Sequence, residues 1–174
     1  MPSSLDAYLD IETTGLWPPY SVITVVGIYL VCGQDSRFVQ LVGEQVTSDS
    51  LLEGLSGIST LYTYNGSRFD LPFISFYLGI NLAEVFQHRD LMHDCWRNSL
   101  KGGLKCVEQQ LGIGRQSRGL NGYQAIRLWW QYVNDYDEHA LATLLEYNKE
   151  DVVNLKALKE ILLKPVPVAH LSAK

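Results

Sequence analysis

Three short acidic motifs, spread from the start of the chain to near its end, constrain its fold more than any other feature. They contribute Asp10 and Glu12, then Asp70, and finally Tyr147 with Asp151. Carboxylates that converge on one point repel each other unless a cation lies between them. Hard oxygen ligands of this kind suit Mg²⁺ or Mn²⁺. The motifs therefore predict a fold that gathers distant segments around a metal, and an enzyme that acts on phosphate esters.

The first motif lies in a stretch with the pattern of a strand. Polar and apolar residues alternate over residues 5–13, and such alternation indicates a half-buried strand. Side chains two residues apart share one face of a strand. Asp10 and Glu12 should therefore lie side by side on the same face.

The second and third motifs lie in helical patterns. Asp70 follows a break that contains glycine and begins a predicted helix over 70–78. Tyr147 and Asp151 are four residues apart within a predicted helix over 137–163. Residues at this spacing are neighbours on one helix face, so both side chains should project in the same direction.

The remaining pattern predicts an α/β fold. Short turns between the first strands favour antiparallel hairpins. From residue 92 onward the pattern is helical, with glycine interruptions at 112–114 and 119–122, and prolines at 165 and 167 are expected to stop the last helix. The other predicted elements are strands over 21–32, 37–42, 60–64 and 86–91, and a short helix through Leu55 that is capped by Ser48 or Asp49.

Length and composition indicate one globular domain over residues 1–174, since domains commonly contain roughly 100–200 residues. The sequence has no apolar run near the ~20 residues of a membrane helix, and its start lacks the pattern of a secretory signal. Its three cysteines include no CxxC pair and are expected to be reduced thiols. A cytoplasmic location and no membrane partner are therefore expected.

The net charge of −5 argues against a protein that grips long duplex nucleic acid by electrostatics. The four motif carboxylates contribute four of the negative charges, and bound divalent cations would offset them. Binding of a few terminal nucleotides stays compatible with this charge.

Carboxylates from separate rigid elements can hold two metal ions around a phosphodiester. Asp10 is placed to bridge the two ions, with Glu12 on one of them. One ion would activate the attacking water, and the other would stabilise the leaving oxygen. The Tyr147 hydroxyl is expected to orient that water, because a phenol with an ordinary pKa near 10 is a poor base.

The motifs resemble those of a known family. Residues 10–16 (Asp-Ile-Glu-Thr-Thr-Gly-Leu), 64–73 (Tyr-Asn-Gly-Ser-Arg-Phe-Asp-Leu-Pro-Phe) and 147–151 (Tyr-Asn-Lys-Glu-Asp) are similar, in order, to the three motifs of DnaQ-like, or DEDD, 3′–5′ exonucleases. The second is especially similar to that of B-family DNA polymerase proofreading domains and of stand-alone bacterial RNase H-like exonuclease domains. Tyr147 stands four residues before the last aspartate, as in the tyrosine subclass, DEDDy.

This resemblance implies an RNase H-like α/β fold, two Mg²⁺ or Mn²⁺ ions, and stepwise release of nucleoside 5′-monophosphates from a single-stranded or frayed 3′ end of DNA or RNA. It implies that Asp10, Glu12, Asp70 and Asp151 are the metal ligands. It also implies that Tyr147 positions the attacking water, which completes the catalytic set.

Five further residues are candidates for substrate binding: Thr13, Leu16, Trp17, Asn65 and Phe73. Leu16 and Trp17 are expected either to wedge against a terminal base, since stacking contributes about 1–3 kcal/mol, or to cover the core. Asn65 is expected to bind a sugar or phosphate, or to occupy a left-handed turn position. Phe73 is expected to contact a base or to pack in the core.

Two departures from the family pattern are evident. Asn148 follows the tyrosine where the family often has cysteine, and this change is expected to matter little. The sequence also shows no attached nucleic-acid-binding module, so substrate delivery is expected to involve a protein partner or a second copy of the chain. One alternative function is a catalytically silent or partner-dependent nucleic-acid-binding module. A second is a different phosphoesterase on the same fold, such as an internal-cutting nuclease or an enzyme for short oligonucleotides.

Two other clusters have ordinary interpretations. Asp90 and Asp94, with His88 and His93, lack a familiar ligand spacing and are expected to cap the following helix. The segment over 100–127 is locally basic and is expected either to contact a nucleic-acid backbone or to form a solvated face. Its cations are Lys101, Lys105, Arg115, Arg118 and Arg127.

Overall fold

The structure, a computed structural model, describes residues 5–117 and 119–163. Within these ranges the chain forms five strands and seven α-helices. The strands are β1 (Asp6–Thr13), β2 (Ile23–Cys32), β3 (Asp35–Val42), β4 (Thr60–Thr63) and β5 (Gln87–Asp90). The helices are α1 (Ser48–Gly54), α2 (Asp70–Leu78), α3 (Leu82–Val85), α4 (Leu91–Arg97), α5 (Leu104–Leu111), α6 (Gly122–Asp135) and α7 (Glu138–Leu163).

The strands form one mixed sheet in the order β3-β2-β1-β4-β5. The pairs β1–β2 and β2–β3 are antiparallel, whereas β1–β4 and β4–β5 are parallel. The predicted α/β class and antiparallel hairpins are confirmed. The carboxyl ends of β1, β4 and β5 meet at one edge of the sheet, and ligands of open α/β sheets usually bind at such an edge.

Alternation along β1 directs its two faces to different layers. The apolar side chains of Leu9 and Ile11 pack in a core with α1 and α2. Tyr8 lies on the opposite face, in a cluster that includes Val152 and Leu155 of α7. Because Asp10 shares the face of Tyr8, it is directed towards α7.

The hairpin between β2 and β3 is tighter than the sequence analysis predicted. Cys32 already pairs with Asp35, so only Gly33 and Gln34 form the turn. Gly33 has φ of +63°, a conformation that glycine adopts at little cost. For this reason β3 begins two residues before the predicted start at 37.

The helix predictions are confirmed with small shifts. Helix α2 covers the predicted residues, and α7 begins at Glu138, one residue after the predicted start. Helix α1 is capped by Thr47 rather than by Ser48 or Asp49, because the Thr47 hydroxyl accepts from the Ser50 amide at 3.2 Å. The prolines expected to stop α7 lie outside the described residues.

None of the helices in the described part of the chain has the length and apolar character that crossing a membrane requires.

Phe73 and Phe76 of α2 offer a matched test of the packing. Phe73 is 1% exposed and lies in the core with Leu71 and Ile74, whereas Phe76 is 61% exposed. We expect Phe73→Ala to lower the free energy of unfolding by about 3–5 kcal/mol, because it removes a ring from a packed interior. Phe76→Ala should change it by less than about 1 kcal/mol. Urea denaturation followed by circular dichroism measures both, and equal losses would contradict the assigned packing.

Candidate active site

Three carboxylates from β1 and α7 converge beside the carboxyl edge of the sheet. One oxygen each of Asp10, Glu12 and Asp151 lies within 4.8 Å of the others. Glu12 and Asp151 are buried, and Asp10 is partly exposed. In β1 the register shifts between Glu12 and Thr13, an irregularity that re-aims side chains where strand pairing ends. The strand and helix patterns of the sequence thus place these three groups together.

Asp70 reaches the same cavity from the first turn of α2. Its Oδ1 accepts a hydrogen bond of 3.1 Å from the Ile11 amide, so it fastens the start of α2 to β1. Asp70 is buried and lies outside the three-carboxylate group. All four predicted metal ligands therefore line one cavity. Oxygens of three of them lie within 4.8 Å of one another, and Asp70 lines the cavity beside this group.

The loop before Asp70 is held by a carboxylate of another strand. Asp90, at the end of β5, accepts from the amides of Asn65 at 2.8 Å and Ser67 at 3.0 Å. It also accepts from the Met92 amide at 3.1 Å, which confirms its predicted capping of α4. Asp90 thus fixes both the second motif and the helix behind it.

The turn in that loop has strict steric requirements. Asn65 has φ of +61°, the left-handed turn conformation considered in the sequence analysis. A Cβ atom at Gly66 would lie 2.1 Å from the Thr63 hydroxyl oxygen, so no larger residue fits there without movement. The Asn65-Gly66 pair therefore lets the chain turn tightly against the end of β4 before α2 begins at Asp70.

The side chains of the other predicted cluster pair with neighbours. Asp94 accepts from Arg89 at 2.7 Å and from Arg97, and the His88 imidazole lies 2.9 Å from the Thr63 hydroxyl. In residues 5–117 and 119–163, the three-carboxylate group is the sole gathering of three or more potential metal ligands.

Tyr147 is buried in the cavity wall, and its hydroxyl is hydrogen-bonded to the Lys105 ammonium group. Lys105 Nζ also donates to the Leu120 carbonyl at 2.6 Å. Burial and the nearby carboxylates, with Asp151 first among them, raise the pKa of Tyr147. Because lysine donates to the phenol oxygen, the O–H proton of Tyr147 is directed to another acceptor.

Arg115 joins the site from the loop after α5. Its guanidinium forms a two-bond pair with Glu108, at 2.9 and 2.8 Å, and also contacts Asp151. The Glu108 carboxylate is itself bonded by Asn154 at 3.0 Å. Since 9% of the Arg115 side chain is exposed, this arginine acts as a fixed internal cation beside Asp151.

The basic segment over 100–127 is therefore divided between two environments. Lys105 and Arg115 enter the candidate site, whereas Lys101 and Arg127 are exposed, and Arg118 lies outside the described residues. The sequence pattern identifies Lys105 and Arg115 as cations but does not indicate that both turn inward. Glu108, the isolated acid within this basic segment, was the available signal for an inward cation, because a buried acid needs a charged partner.

Burial and mutual repulsion make the carboxylates hard to ionise. Burial raises the pKa of Asp70 to about 7 and that of Asp151 to about 6, although Arg115 opposes the latter shift. Burial and neighbouring carboxylates also raise the pKa of Asp10 and Glu12 well above their usual range. A divalent cation would favour the ionised forms, and the donors are all hard oxygen atoms. The site therefore fits Mg²⁺ or Mn²⁺.

The cavity above the carboxylates has a volume of about 420 Å³ and one apolar wall. Leu16 and Tyr123 line this wall while remaining 71% and 72% exposed. Phe69 and Ile126 extend it. A planar apolar ligand could therefore pack on this wall, next to the three carboxylates. The sequence analysis did not find Tyr123, Phe69 or Ile126, because their position depends on how α2 and α6 pack.

The five predicted substrate residues separate into three groups. Thr13, Leu16 and Asn65 line the cavity. Trp17 is 73% exposed on the neighbouring loop and is not among the lining residues. Phe73 lies in the core, where its ring packs 5.4 Å from that of Phe69. The inner face of α2 is covered by the sheet, so the structure favours the core-packing alternative for Phe73.

Asn148 has a contact that the sequence analysis did not include. It is fully buried, and its amide donates to the Asp10 carboxylate at 3.1 Å. The residue that departs from the family pattern therefore touches a candidate metal ligand.

Comparisons with known proteins place this geometry in context. The family model described as RNase_H superfamily matches residues 7–163, and no curated protein matches the chain. A family B DNA polymerase from the hyperthermophilic archaeon Pyrobaculum calidifontis matches 93% of the chain, with a TM-score of 0.69 and 17% identity. The chain spans 25% of that polymerase.

Brucella melitensis NrnC gives a similar result. The structure bound to pGG matches 90% of the chain and is matched over 71% of its own length, with a TM-score of 0.60 and 24% identity. The structure with bound Mg²⁺ has a TM-score of 0.56 and 23% identity. These likenesses show a shared fold.

The raised pKa values predict how stability depends on pH when no divalent cation is bound. Carboxylates with raised folded-state pKa values bind more protons in the folded than in the unfolded chain, so stability falls as pH rises through those values. In EDTA, we expect the free energy of unfolding to decrease between about pH 5 and about pH 8. Asp70→Asn should flatten this slope, because it removes a group with a pKa of about 7. Urea titrations at several pH values measure the slope, and a constant or rising stability would contradict this description of the site.

Proposed function

The chain belongs to the RNase H superfamily, and we propose that it is a metal-dependent 3′–5′ exonuclease of the DEDDy subclass. The observation that carries the proposal is the convergence of Asp10, Glu12 and Asp151 within 4.8 Å, beside buried Tyr147 and an open cavity. Arg115 pairs with Asp151, yet one oxygen each of Asp10, Glu12 and Asp151 still lies within 4.8 Å of the others beside the cavity.

In this proposal Asp10, Glu12, Asp70 and Asp151 would hold two Mg²⁺ or Mn²⁺ ions. When bound, these ions would supply acidity for the attacking water and would stabilise charge on the leaving oxygen. The chain's own contribution is to hold the four acids on rigid elements and to keep Asp151 in place through Arg115. Fixed ligands cost little reorganisation when the reaction occurs.

Tyr147 is proposed to orient the water through its hydroxyl. Its pKa is raised, chiefly by burial, so it stays protonated and does not act as a general base. Lys105 contacts the phenol oxygen, and this leaves the O–H as a donor. A water that accepts this hydrogen bond has a fixed direction relative to a phosphodiester in the cavity.

The apolar wall supports unpaired terminal nucleotides as substrates. Leu16 and Tyr123 present largely exposed apolar surfaces next to the acidic floor, and every base can stack on such surfaces when it is unpaired. The net charge of −5 supports short contact with a 3′ end over long contact with a duplex. Thr13 and Asn65 lie close enough to the cavity to meet the sugar or phosphate.

Three expectations stay predictions: a single domain over residues 1–174, a cytoplasmic location, and delivery of substrate by a partner protein or a second copy. A binding module without turnover is the alternative function. The presence of all five residues of the catalytic set favours the enzyme.

The direct test uses 5′-labelled single-stranded DNA and RNA with Mg²⁺, Mn²⁺ or EDTA. We expect a ladder that shortens from the 3′ end, requires the metal and disappears with Asp10→Asn. Asp35→Asn, on the exposed hairpin, is the matched control and should retain activity. Internal fragments would indicate an endonuclease, and uncleaved substrate with a folded protein would favour the binding module.

The contact between Lys105 and Tyr147 predicts coupled kinetic effects. Tyr147→Phe should lower kcat about 100-fold with little change in KM, because it removes the donor that orients the water. Lys105→Met should lower kcat in the same direction, and the double variant should lose less than the product of the two single losses. Tyr136→Phe, at an exposed tyrosine, is the control. Multiplicative losses would show that the two residues act separately.

A further inference from the structure

A row of three residues crosses the sheet, starting from one of the candidate metal ligands. Asp10 of β1 pairs with Gly27 of β2, and Gly27 pairs with Gln40 of β3. Directly paired residues share one face of a sheet, and here that face is covered by α7. The row therefore runs from a candidate ligand to the outer strand β3.

The glycine in this row makes room for a polar side chain from α7. A Cβ atom at Gly27 would lie 2.3 Å from Asn148 Oδ1. Asn148 fills this gap and is 0% exposed. Its amide thus lies between the two side chains that flank Gly27, Asp10 and Gln40.

A continuous set of hydrogen bonds joins these groups. Gln40 Nε2 donates to the Leu145 carbonyl at 2.8 Å and to Asn148 Oδ1 at 3.0 Å. Asn148 Nδ2 donates to Asp10 Oδ2 at 3.1 Å and to the Asp10 carbonyl at 3.3 Å. The set begins on the backbone of α7 and ends on the Asp10 carboxylate.

The two ends of the set determine its direction. The Leu145 carbonyl and an ionised Asp10 carboxylate accept hydrogen bonds and cannot donate them. Gln40 must therefore turn its NH₂ group to Leu145 and Asn148, and Asn148 must turn its NH₂ group to Asp10. The reverse orientation of either amide would place two acceptors in contact, at a cost in free energy.

We propose that Gln40 and Asn148 are positioning residues that hold the Asp10 carboxylate in the orientation that binds a divalent cation. The inference rests on the proposed function of the site. Anchoring Oδ2 fixes rotation of the carboxylate, and so directs its other oxygen. Gln40 touches no candidate ligand, and its influence passes through the direction of the Asn148 amide.

Two near-isosteric variants of Gln40 separate this effect from packing. In Gln40→Glu, an ionised carboxylate, which only accepts, replaces the NH₂ donor to Leu145 and Asn148. We expect Asn148 to reverse its amide, because only its NH₂ group can pair with this carboxylate. Asn148 Oδ1 then faces Asp10. In Gln40→Met, the hydrogen bond is lost, but nothing forces the amide to reverse. Both variants keep the length of the side chain at a half-buried position.

The measurement is Mn²⁺ affinity, from the electron paramagnetic resonance signal of free Mn²⁺ at pH 8. We expect Gln40→Glu to weaken binding about tenfold or more, and Gln40→Met to weaken it by much less. An added negative charge acting through space would instead strengthen Mn²⁺ binding. The direction of the change therefore distinguishes the amide relay from a charge effect.

The Asn148→Leu background completes the test. Without the Asn148 amide, Gln40→Glu should no longer weaken Mn²⁺ binding more than Gln40→Met does. The kcat for a 5′-labelled oligonucleotide should follow Mn²⁺ affinity across the set, and thermal melting in EDTA checks that each variant is folded.

Equal or tighter Mn²⁺ binding by Gln40→Glu, with a wild-type protein that binds Mn²⁺, would overturn the relay and leave the proposed function intact. A folded wild-type protein that binds no Mn²⁺ would overturn both.

Discussion

Mutual repulsion among buried carboxylates is the constraint on which the rest of this structure depends. Asp10, Glu12 and Asp151 come within 4.8 Å of one another, and such an arrangement raises the free energy of the folded chain unless it is compensated. Arg115 and Lys105 compensate this repulsion on one side of the site, and the Asn148 amide does so on the other. Carboxylates that repel one another at the edge of an open cavity form an arrangement suited to a divalent cation.

Helix α7 links the compensation to the fold. Val152 and Leu155 of α7 pack in the same cluster as Tyr8, and Leu144 packs in a second cluster with Val25 of β2. This packing brings Tyr147, Asn148 and Asp151 close to Asp10. Glycine at position 27 allows that close approach. Core packing and site geometry therefore depend on each other, since a shift of α7 would move Tyr147, Asn148 and the candidate ligand Asp151 together.

Periodicity explains which parts could be predicted from the sequence. The strand with Asp10 and Glu12, the helix that begins at Asp70 and the face shared by Tyr147 and Asp151 follow from local spacing. Lys105, Arg115, Asn148 and Tyr123 could not be placed in this way, because their roles depend on contacts across α5, α6, α7 and the sheet. Asn148 is an example of a residue that local spacing does not explain. Within its motif it looks like a minor change, and its contact with Asp10 becomes evident only when Gly27 and Gln40 are placed beside it.

The most direct measurement of the central claim is an anomalous difference map from crystals that contain Mn²⁺. We expect anomalous density among the carboxylates of Asp10, Glu12 and Asp151, and a second peak beside it. Absence of density at these carboxylates, or Mn²⁺ bound only elsewhere on the protein, would contradict the assignment of this metal site.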